Sequence, residues 1–393
     1  MPDLREAWIT GIGIVSCLGE GPDAHWDALS QGKVSADAEG FAPYVVHRVV
    51  PLDLDKQIPK KGDQRQMEAW QRIGTYAAGL ALDSAGVKGN TELLSNMDMI
   101  VAAGGGERDL ATDVAILSGL PGANDPAAFL NQRLTNDLRP TLFLAQLSNL
   151  MAGNISIVHN VTGSSRTFMG EESAGVDAVR VSLARIAGGQ SDIALVGGAY
   201  NAERLDIILH YLVDGCLWQG EPAGIWDRAA KGGGMALGSM GAFLVLEERS
   251  HAEKRGAKPF ARITSVLSEQ SRRKDGDIGK TLERLWDKLP VPAGVAVISG
   301  ATGIEPATSE ELAFLKSKPD LAVRATGTHV GAGLEPNFVI NIALAAIALK
   351  HGALFPSVDR SGMERDTAGA LTKVVVTSVG HWRGEGLALV EQI

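Results

Sequence analysis

The chain has 393 residues, enough for two or three domain-sized cores or for one large duplicated unit. Hydrophobic residues make up 45% of it and 47 residues are glycine, a composition typical of a packed α/β protein and not of a disordered one. The net charge of −9 argues against a nucleic-acid-binding surface, which needs clustered lysine and arginine.

The two cysteines, Cys17 and Cys216, supply neither a disulfide framework nor the spacing of a metal site. No run of 18 apolar residues could span a membrane, and the first residues lack the apolar core of a signal peptide. The glycine-rich turns do not form a nucleotide fingerprint, because "GIGIVS" lacks a third glycine and the acidic residue downstream. We therefore expect a cytoplasmic protein without a metal or another cofactor.

Apolar runs, several of which end in glycine-rich turns, predict strands along the chain. They lie at residues 8–15, 99–103, 193–196, 241–246, 295–298, 374–376 and 387–390. Helices are predicted between them, at residues 71–85, 141–153, 174–186 and 337–350. This alternation predicts an α/β fold with parallel sheets that are buried on both faces. The charged segment "RSHAEKRGAKP" marks a soft boundary, which divides the chain into residues 1–250 and 251–393.

The stretch "TFMGEESAGVDA", residues 167–178, predicts a tight turn that leads directly into a helix. Enzymes place nucleophiles at such elbows, where the helix N-terminus stabilises negative charge. Here Glu171 and Glu172 occupy the apex, and neither is a good nucleophile for acyl chemistry.

Three segments resemble the β-ketoacyl-acyl carrier protein synthases: "WITGIGIVSCLGEG", "DIALVGGAYNAE" and "LGSMGAFLVLEERSHAEKRGAKPFARI". The similarity runs from about residue 8 to the end of the chain. It implies the thiolase-like fold, in which two duplicated halves form a five-layer αβαβα sandwich, the N-terminal half with dimerisation and cap insertions. It also implies a dimer and an acyl carrier protein as partner.

Active members of this family carry a cysteine on the elbow helix and two histidines on loops of the second half. Carried over by motif, the cysteine position falls on Glu172. The first histidine position falls on Ala301 in "SGATG", and the second falls on Thr328 in "ATGTHVGAG". His329 follows one residue later and could replace the second histidine under a shifted alignment. The resemblance thus implies that the catalytic set is degenerate.

The altered set is most similar to that of the chain-length factors, which carry glutamine at the nucleophile position and also lack the second histidine. "GEESAGVD" and "TGTHVGAGLEP" are similar to their stretches. The family's phenylalanine-containing gate loop appears as "GHWRGEG", with Gly380, His381 and Trp382 at its start. Chain-length factors do not condense alone but pair with an active ketosynthase and shape its acyl tunnel.

The segment "RPTLFLAQLSNLMAG", residues 139–153, matches the helix that lends side chains to the neighbouring subunit's tunnel. The resemblance gives four tunnel or interface candidates in it: Leu142, Phe143, Leu147 and Met151.

Glu172 has two interpretations. A carboxylate at a helix N-terminus contributes about 0.3–1 kcal/mol through the helix dipole, which is a structural role. It could instead act as a decarboxylation base or anion holder, and its burial would require a hydrogen-bond donor nearby.

Three functions follow from these alternatives. The first is a non-condensing partner of an active ketosynthase in fatty-acid or polyketide synthesis. The second is an active synthase or malonyl-carrier decarboxylase that uses Glu172 and His329. The third is a homodimeric acyl-binding scaffold.

Overall fold

The computed structural model describes residues 5–367 and 369–393, in which strands and helices alternate. The strands are β1 (Ala7–Ser16), β2 (Gly19–Glu20), β3 (Val46–His47), β4 (Asp98–Ala102), β5 (Ser165–Phe168), β6 (Ile193–Tyr200), β7 (Leu237–Gly238), β8 (Met240–Glu248), β9 (Ala261–Glu269), β10 (Ala296–Ser299), β11 (Ala322–Ala325), β12 (Lys373–Val379) and β13 (Glu385–Glu391). The helices are α1 (Gly21–Ser30), α2 (Lys61–Gln66), α3 (Ala69–Ser84), α4 (Thr91–Asn96), α5 (Leu110–Gly119), α6 (Pro126–Asp137), α7 (Leu142–Ala145), α8 (Leu150–His159), α9 (Glu171–Ala187), α10 (Leu205–Val213), α11 (Ile225–Ala229), α12 (Arg249–Arg255), α13 (Asp277–Trp286), α14 (Ala307–Ser317), α15 (Gly327–Val330) and α16 (Asn337–His351). Two 3₁₀ turns lie at Leu54–Lys56 and Leu120–Gly122.

The seven strands expected from apolar runs are present as β1, β4, β6, β8, β10, β12 and β13. One predicted helix is wrong in its extent: residues 141–153 form α7, a turn at 146–149, and only the start of α8. Ser148 and Asn149 lie in that turn, and side chains of this kind compete with helical hydrogen bonds.

The main sheet consists of two halves with the same pairing pattern. Its strands follow the order β11-β10-β12-β13-β9-β1-β8-β6-β4-β5, with β2 beside β1. In one half β5, β4 and β6 are parallel, while β8 and β1 are antiparallel additions. In the other half β11, β10 and β12 are parallel, while β13 and β9 are antiparallel additions. The expectation of parallel sheets was therefore wrong for two strands of each half.

The two halves enclose a central layer of helices. α16 is buried from Asn337 to Leu349, and with the buried face of α9 it forms one core with the inner surfaces of both half-sheets. α3 covers the outer face of the first half through Tyr76 and Leu82. α13 and α14 cover the outer face of the second half through Leu282 and Phe314. The expected five-layer αβαβα arrangement is thereby confirmed.

This topology brings four connections toward one region. They are the elbow between β5 and α9, the β10–α14 loop, the β11–α16 connection and the tight turn between β12 and β13. The proposed domain boundary between residues 250 and 251 falls inside α12 and remains a prediction. Within the two described ranges, no helix is both long and apolar enough to cross a membrane.

Candidate functional site

The predicted elbow is present and its backbone is strained. β5 ends at Phe168, and α9 begins at Glu171 after Gly170, whose φ is 133°. Glu171 has a φ of 51°, a left-handed conformation that costs energy for a residue other than glycine. The Ser173 hydroxyl donates a 2.6 Å hydrogen bond to the Gly170 carbonyl and closes the turn. The chain thus keeps a strained strand-to-helix turn at this site.

Glu172, on the first turn of α9, is paired with the gate loop. Nδ1 of His381 lies 3.0 Å from each carboxylate oxygen of Glu172, and neither side chain is more than 2% exposed. The Tyr211 ring stacks edge-on against the imidazole at 5.5 Å. His381 is therefore the donor that a buried carboxylate at this position requires. The two residues belong to separate sequence motifs, and neither motif predicts their contact.

The gate loop is anchored at several points. Gly380 N–H donates to the Gly384 carbonyl at 2.9 Å, which closes the turn between β12 and β13. Arg273 donates to the Gly380 carbonyl at 2.7 Å and lies 3.1 Å from the carboxylate of Glu385. Trp382 is 52% exposed, and its ring lies beside the imidazole of His381 with the ring centroids 5.3 Å apart. The loop is held closed against the elbow with the imidazole inward and the indole outward.

The two positions expected to hold histidine have no catalytic group. Ala301 is buried and offers only a methyl group. The Thr328 hydroxyl accepts a hydrogen bond from Ile225 N–H at 3.1 Å. His329 contacts the Lys33 carbonyl through Nδ1 at 2.9 Å and packs edge-on against Phe355. Its pKa is lowered by burial, and none of its contacts recorded in the described ranges reaches Glu172.

A second buried carboxyl, Glu335, lies in the turn before α16 and was not singled out from the sequence. It is 5% exposed, and its Oε2 has no hydrogen-bond partner among the described residues. Burial, and then the negative charges of Glu172 and Glu171, raise its pKa to about 8. Burial raises the pKa of Tyr200 as well, with smaller contributions from Tyr211 and Glu335. Buried acidic and phenolic side chains, Glu335 and Tyr200, therefore lie close to Glu172 at the elbow.

Glu335 makes stability depend on pH. A carboxyl with its folded-state pKa raised from 4.5 to about 8 stabilises the fold fully below pH 4.5 and loses that contribution as pH rises toward 8. We expect the unfolding free energy to fall by up to about 1.4 kcal/mol per pH unit over this window. Glu335→Gln stays neutral and should lack this contribution, so its unfolding free energy should fall less steeply with pH than that of the wild type in urea titrations between pH 5 and 8. Glu221→Gln, at an exposed carboxyl, should retain the wild-type slope; an unchanged slope in Glu335→Gln would contradict the assignment.

The four tunnel candidates divide into two pairs. Phe143 is 67% exposed and Leu147 is 37% exposed. Leu142 is 8% exposed and Met151 is fully buried, so both belong to the chain's own interior.

Phe143 and Leu147 belong to a wider exposed apolar surface on α5, α7, α8 and the β5–α9 turn. We refer to it as the apolar face; it comprises Val114, Leu117, Phe143, Leu144, Leu147, Ile157 and Met169. It adjoins β5, which is an edge strand of the main sheet. Exposed apolar side chains beside an edge strand are typical of protein–protein interfaces.

A surface cavity of about 920 Å³ borders the Thr328 loop and α11. Trp218, Asp227, Lys231 and Arg360 are among its lining residues. Across the described ranges, no group of three or more His, Cys, Asp or Glu side chains is placed to hold a metal ion.

Comparisons with known proteins agree with the fold described above. Residues 5–252 match the family model described as the beta-ketoacyl synthase N-terminal domain. The chain is 26% identical over 270 residues to 3-oxoacyl-[acyl-carrier-protein] synthase 2 of Vibrio harveyi, covering 66% of this chain and 61% of that protein. It is 24% identical over 387 residues to the oxytetracycline polyketide putative beta-ketoacyl synthase 1 of Streptomyces rimosus, covering 91% of this chain and 88% of that protein.

A solved structure described as the ishigamide ketosynthase/chain length factor has a similar fold. It superposes with a TM-score of 0.81 at 19% identity, over 99% of this chain and 100% of that one. The match extends the family's fold to the C-terminal half, beyond the residues that the family model covers.

Proposed function

The chain belongs to the β-ketoacyl synthase family, and from this premise we propose that it is a non-condensing, chain-length-factor-like partner of an active ketosynthase in fatty-acid or polyketide synthesis. The observation that carries the proposal is the buried contact between Glu172 and His381. The family resemblance assigns Glu172 to the position where an acyl-accepting thiol would be needed, and His381 contacts both of its carboxylate oxygens.

The surrounding groups give no substitute for the missing chemistry. A condensing reaction needs a nucleophile that holds the acyl group and donors that stabilise an enolate oxygen. Attack by a carboxylate would give a mixed anhydride, which water hydrolyses readily, in place of a thioester. Ala301 has no proton to donate, and Thr328 and His329 are engaged with Ile225 and Lys33.

The apolar face supports the proposal that the chain pairs obligately with another subunit. Obligate interfaces bury about 2,000 Å² or more and resemble a domain core. A chain that retains this face and the strained elbow retains the architecture for pairing after losing the nucleophile. The Vibrio harveyi relative acts, by its name, with an acyl carrier protein. We infer that an acyl carrier protein binds to the pair and that the active subunit carries out the reaction on its acyl group.

The isolated protein should neither accept an acyl group nor condense. Incubation with acyl-carrier protein and malonyl-carrier protein is expected to leave its intact mass unchanged, because Glu172 cannot form a thioester. An active ketosynthase under the same conditions is the control and should gain the acyl mass. An acyl adduct on the purified chain would refute the non-condensing role.

A malonyl-carrier decarboxylase is a second candidate, favoured by the carboxylate–imidazole pair itself. In that reaction the carbon–carbon bond to the carboxylate breaks, carbon dioxide leaves, and the thioester enolate takes up a proton. The structure suggests His381 in place of His329 as the partner of Glu172. Conversion of malonyl- to acetyl-carrier protein by the isolated chain, lost in Glu172→Gln, would favour this candidate over the first.

A further inference from the structure

Arg228, on α11, is a fully buried cation that forms no salt bridge with the residues that the structure describes. It is 1% exposed and ranks among the largest fully buried side chains. Its Nε and Nη1 atoms have no hydrogen-bond partner in the described part of the chain. An unpaired buried charge is strongly destabilising, so a group of this kind indicates a missing partner.

Arg324 provides a comparison within the same molecule. It is also 1% exposed, but its guanidinium donates to the carbonyls of Phe355, Val323 and Arg365 and to the Asp366 carboxylate, at 2.6–2.8 Å. Every nitrogen of the Arg324 guanidinium therefore has a hydrogen-bond partner, whereas two nitrogens of Arg228 have none among the described residues. Burial lowers the pKa of Arg228 to about 10, which still keeps it charged at neutral pH.

Two glycines lie close to the buried guanidinium of Arg228. Its guanidinium carbon lies 3.3 Å from the position that a Cβ on Gly303 would occupy. Gly303 and Gly234 both have positive φ, and their backbones are hydrogen-bonded to each other at 2.6 Å. Glycine at both positions keeps the backbone beside the guanidinium free of side chains. Two titratable groups lie nearby. Burial, with the positive charge of Arg228, lowers the pKa of His47 to about 4. Glu305 Oε1 lies 3.4 Å from the position that a Cβ on Gly233 would occupy and has no hydrogen-bond partner among the described residues.

The helix that carries Arg228 also borders the 920 Å³ cavity, through Asp227 and the preceding Gly224. Lys231 and Arg360 line the same cavity together with Asp227 and Glu221, so its charged lining is balanced. Selectivity for negative charge would therefore come from Arg228 itself and not from the charged residues that line the cavity.

We propose that Arg228 is the receptor for a small oxyanion, a carboxylate or phosphate group, which accepts hydrogen bonds from Nε and Nη1. Oxyanions match guanidinium donors in charge and geometry. The site is separate from the Glu172–His381 pair and does not depend on the chain-length role.

Thermal unfolding in matched ionic strength tests the proposal, with inorganic phosphate and acetate each compared with chloride. The wild-type midpoint should rise by about 2 °C or more in at least one of the two anions. A response to phosphate alone would assign a phosphate group, and a response to acetate would assign a carboxylate. Arg228→Met should show no such rise and should be at least as stable as wild type in chloride, because it removes an unpaired charge.

Arg360→Gln, which removes an exposed guanidinium from the cavity lining, is the matched control and should respond as wild type does. If Arg228→Met fails to fold, calorimetric titration of phosphate and acetate into wild type and Arg228→Lys replaces it, with weaker binding expected for lysine. Equal responses in Arg228→Met and wild type, or no binding of either anion to wild type, would overturn the proposal.

Discussion

Replacing Phe143 by glutamate is expected to leave the chain folded but to prevent it from pairing with another subunit. The side chain is 67% exposed, so the substitution disturbs little of the chain's own core. In a pair, the charge would be buried among apolar side chains of the apolar face. Loss of an aromatic anchor at an interface typically weakens binding by 2 kcal/mol or more, which is about 30-fold or more in Kd. Sedimentation or light scattering of the purified protein, alone and with a co-expressed ketosynthase, measures the change.

Phe143→Trp at the same position separates assembly from chain-length control. Tryptophan is apolar, so the pair should still form, but the larger ring should shorten the products of the co-expressed pair while the initial condensation rate stays nearly unchanged. Val34→Glu is the matched control for Phe143→Glu, because Val34 is 42% exposed and lies outside the apolar face. The Val34→Glu protein should therefore still pair. Unchanged product length in Phe143→Trp would favour a scaffold over a chain-length role. A Phe143→Glu protein that still pairs would place the interface elsewhere.

The sequence predicted the elements whose burial is continuous. β1, β8 and α16 are buried along nearly their whole length, so their apolar residues form unbroken runs. β9 was missed because it alternates buried residues such as Ile263 with half-exposed ones such as Arg262. Strand direction was also misjudged for β13, since a short turn joins it to β12 and makes the pair antiparallel.

The residues of the candidate site also differ in how far the sequence could predict them. Glu172, Ala301 and Thr328 could be singled out because each lies within a short motif, and their assignment to family positions remains a prediction. The contact between Glu172 and His381 joins positions 209 residues apart, and no local pattern encodes it. The burial of Glu335 and the lack of hydrogen-bond partners for Arg228 among the described residues depend on how separate elements pack. The local sequence of a glycine-rich turn or a short helix does not reveal that packing.

The Glu172–His381 pair should behave as one buried unit in a double-mutant cycle. Glu172→Ala leaves the imidazole buried without its partner, and His381→Phe leaves the carboxylate buried without its donor. Removing one partner of a buried hydrogen bond costs about 1–3 kcal/mol, and more when the group left behind is charged, whereas replacing both partners by apolar groups can be nearly neutral. These losses exceed the dipole contribution of about 0.3–1 kcal/mol expected from sequence. We therefore expect each single variant to be strongly destabilised in urea titrations.

The double variant Glu172→Ala/His381→Phe should recover most of the stability that either single substitution loses. Hydrogen exchange at residues 380–384 should rise in both single variants, because the imidazole contact holds the gate loop against the elbow. Glu171→Gln is the control: Glu171 and Arg383 also join the elbow to the loop, but they are 3.6 Å apart and their side chains are 32% and 56% exposed. An exposed pair of this kind contributes about 0–1 kcal/mol, so Glu171→Gln should change little. Additive losses in the double variant would mean that Glu172 and His381 do not interact, and the elbow would then keep its carboxylate for another reason.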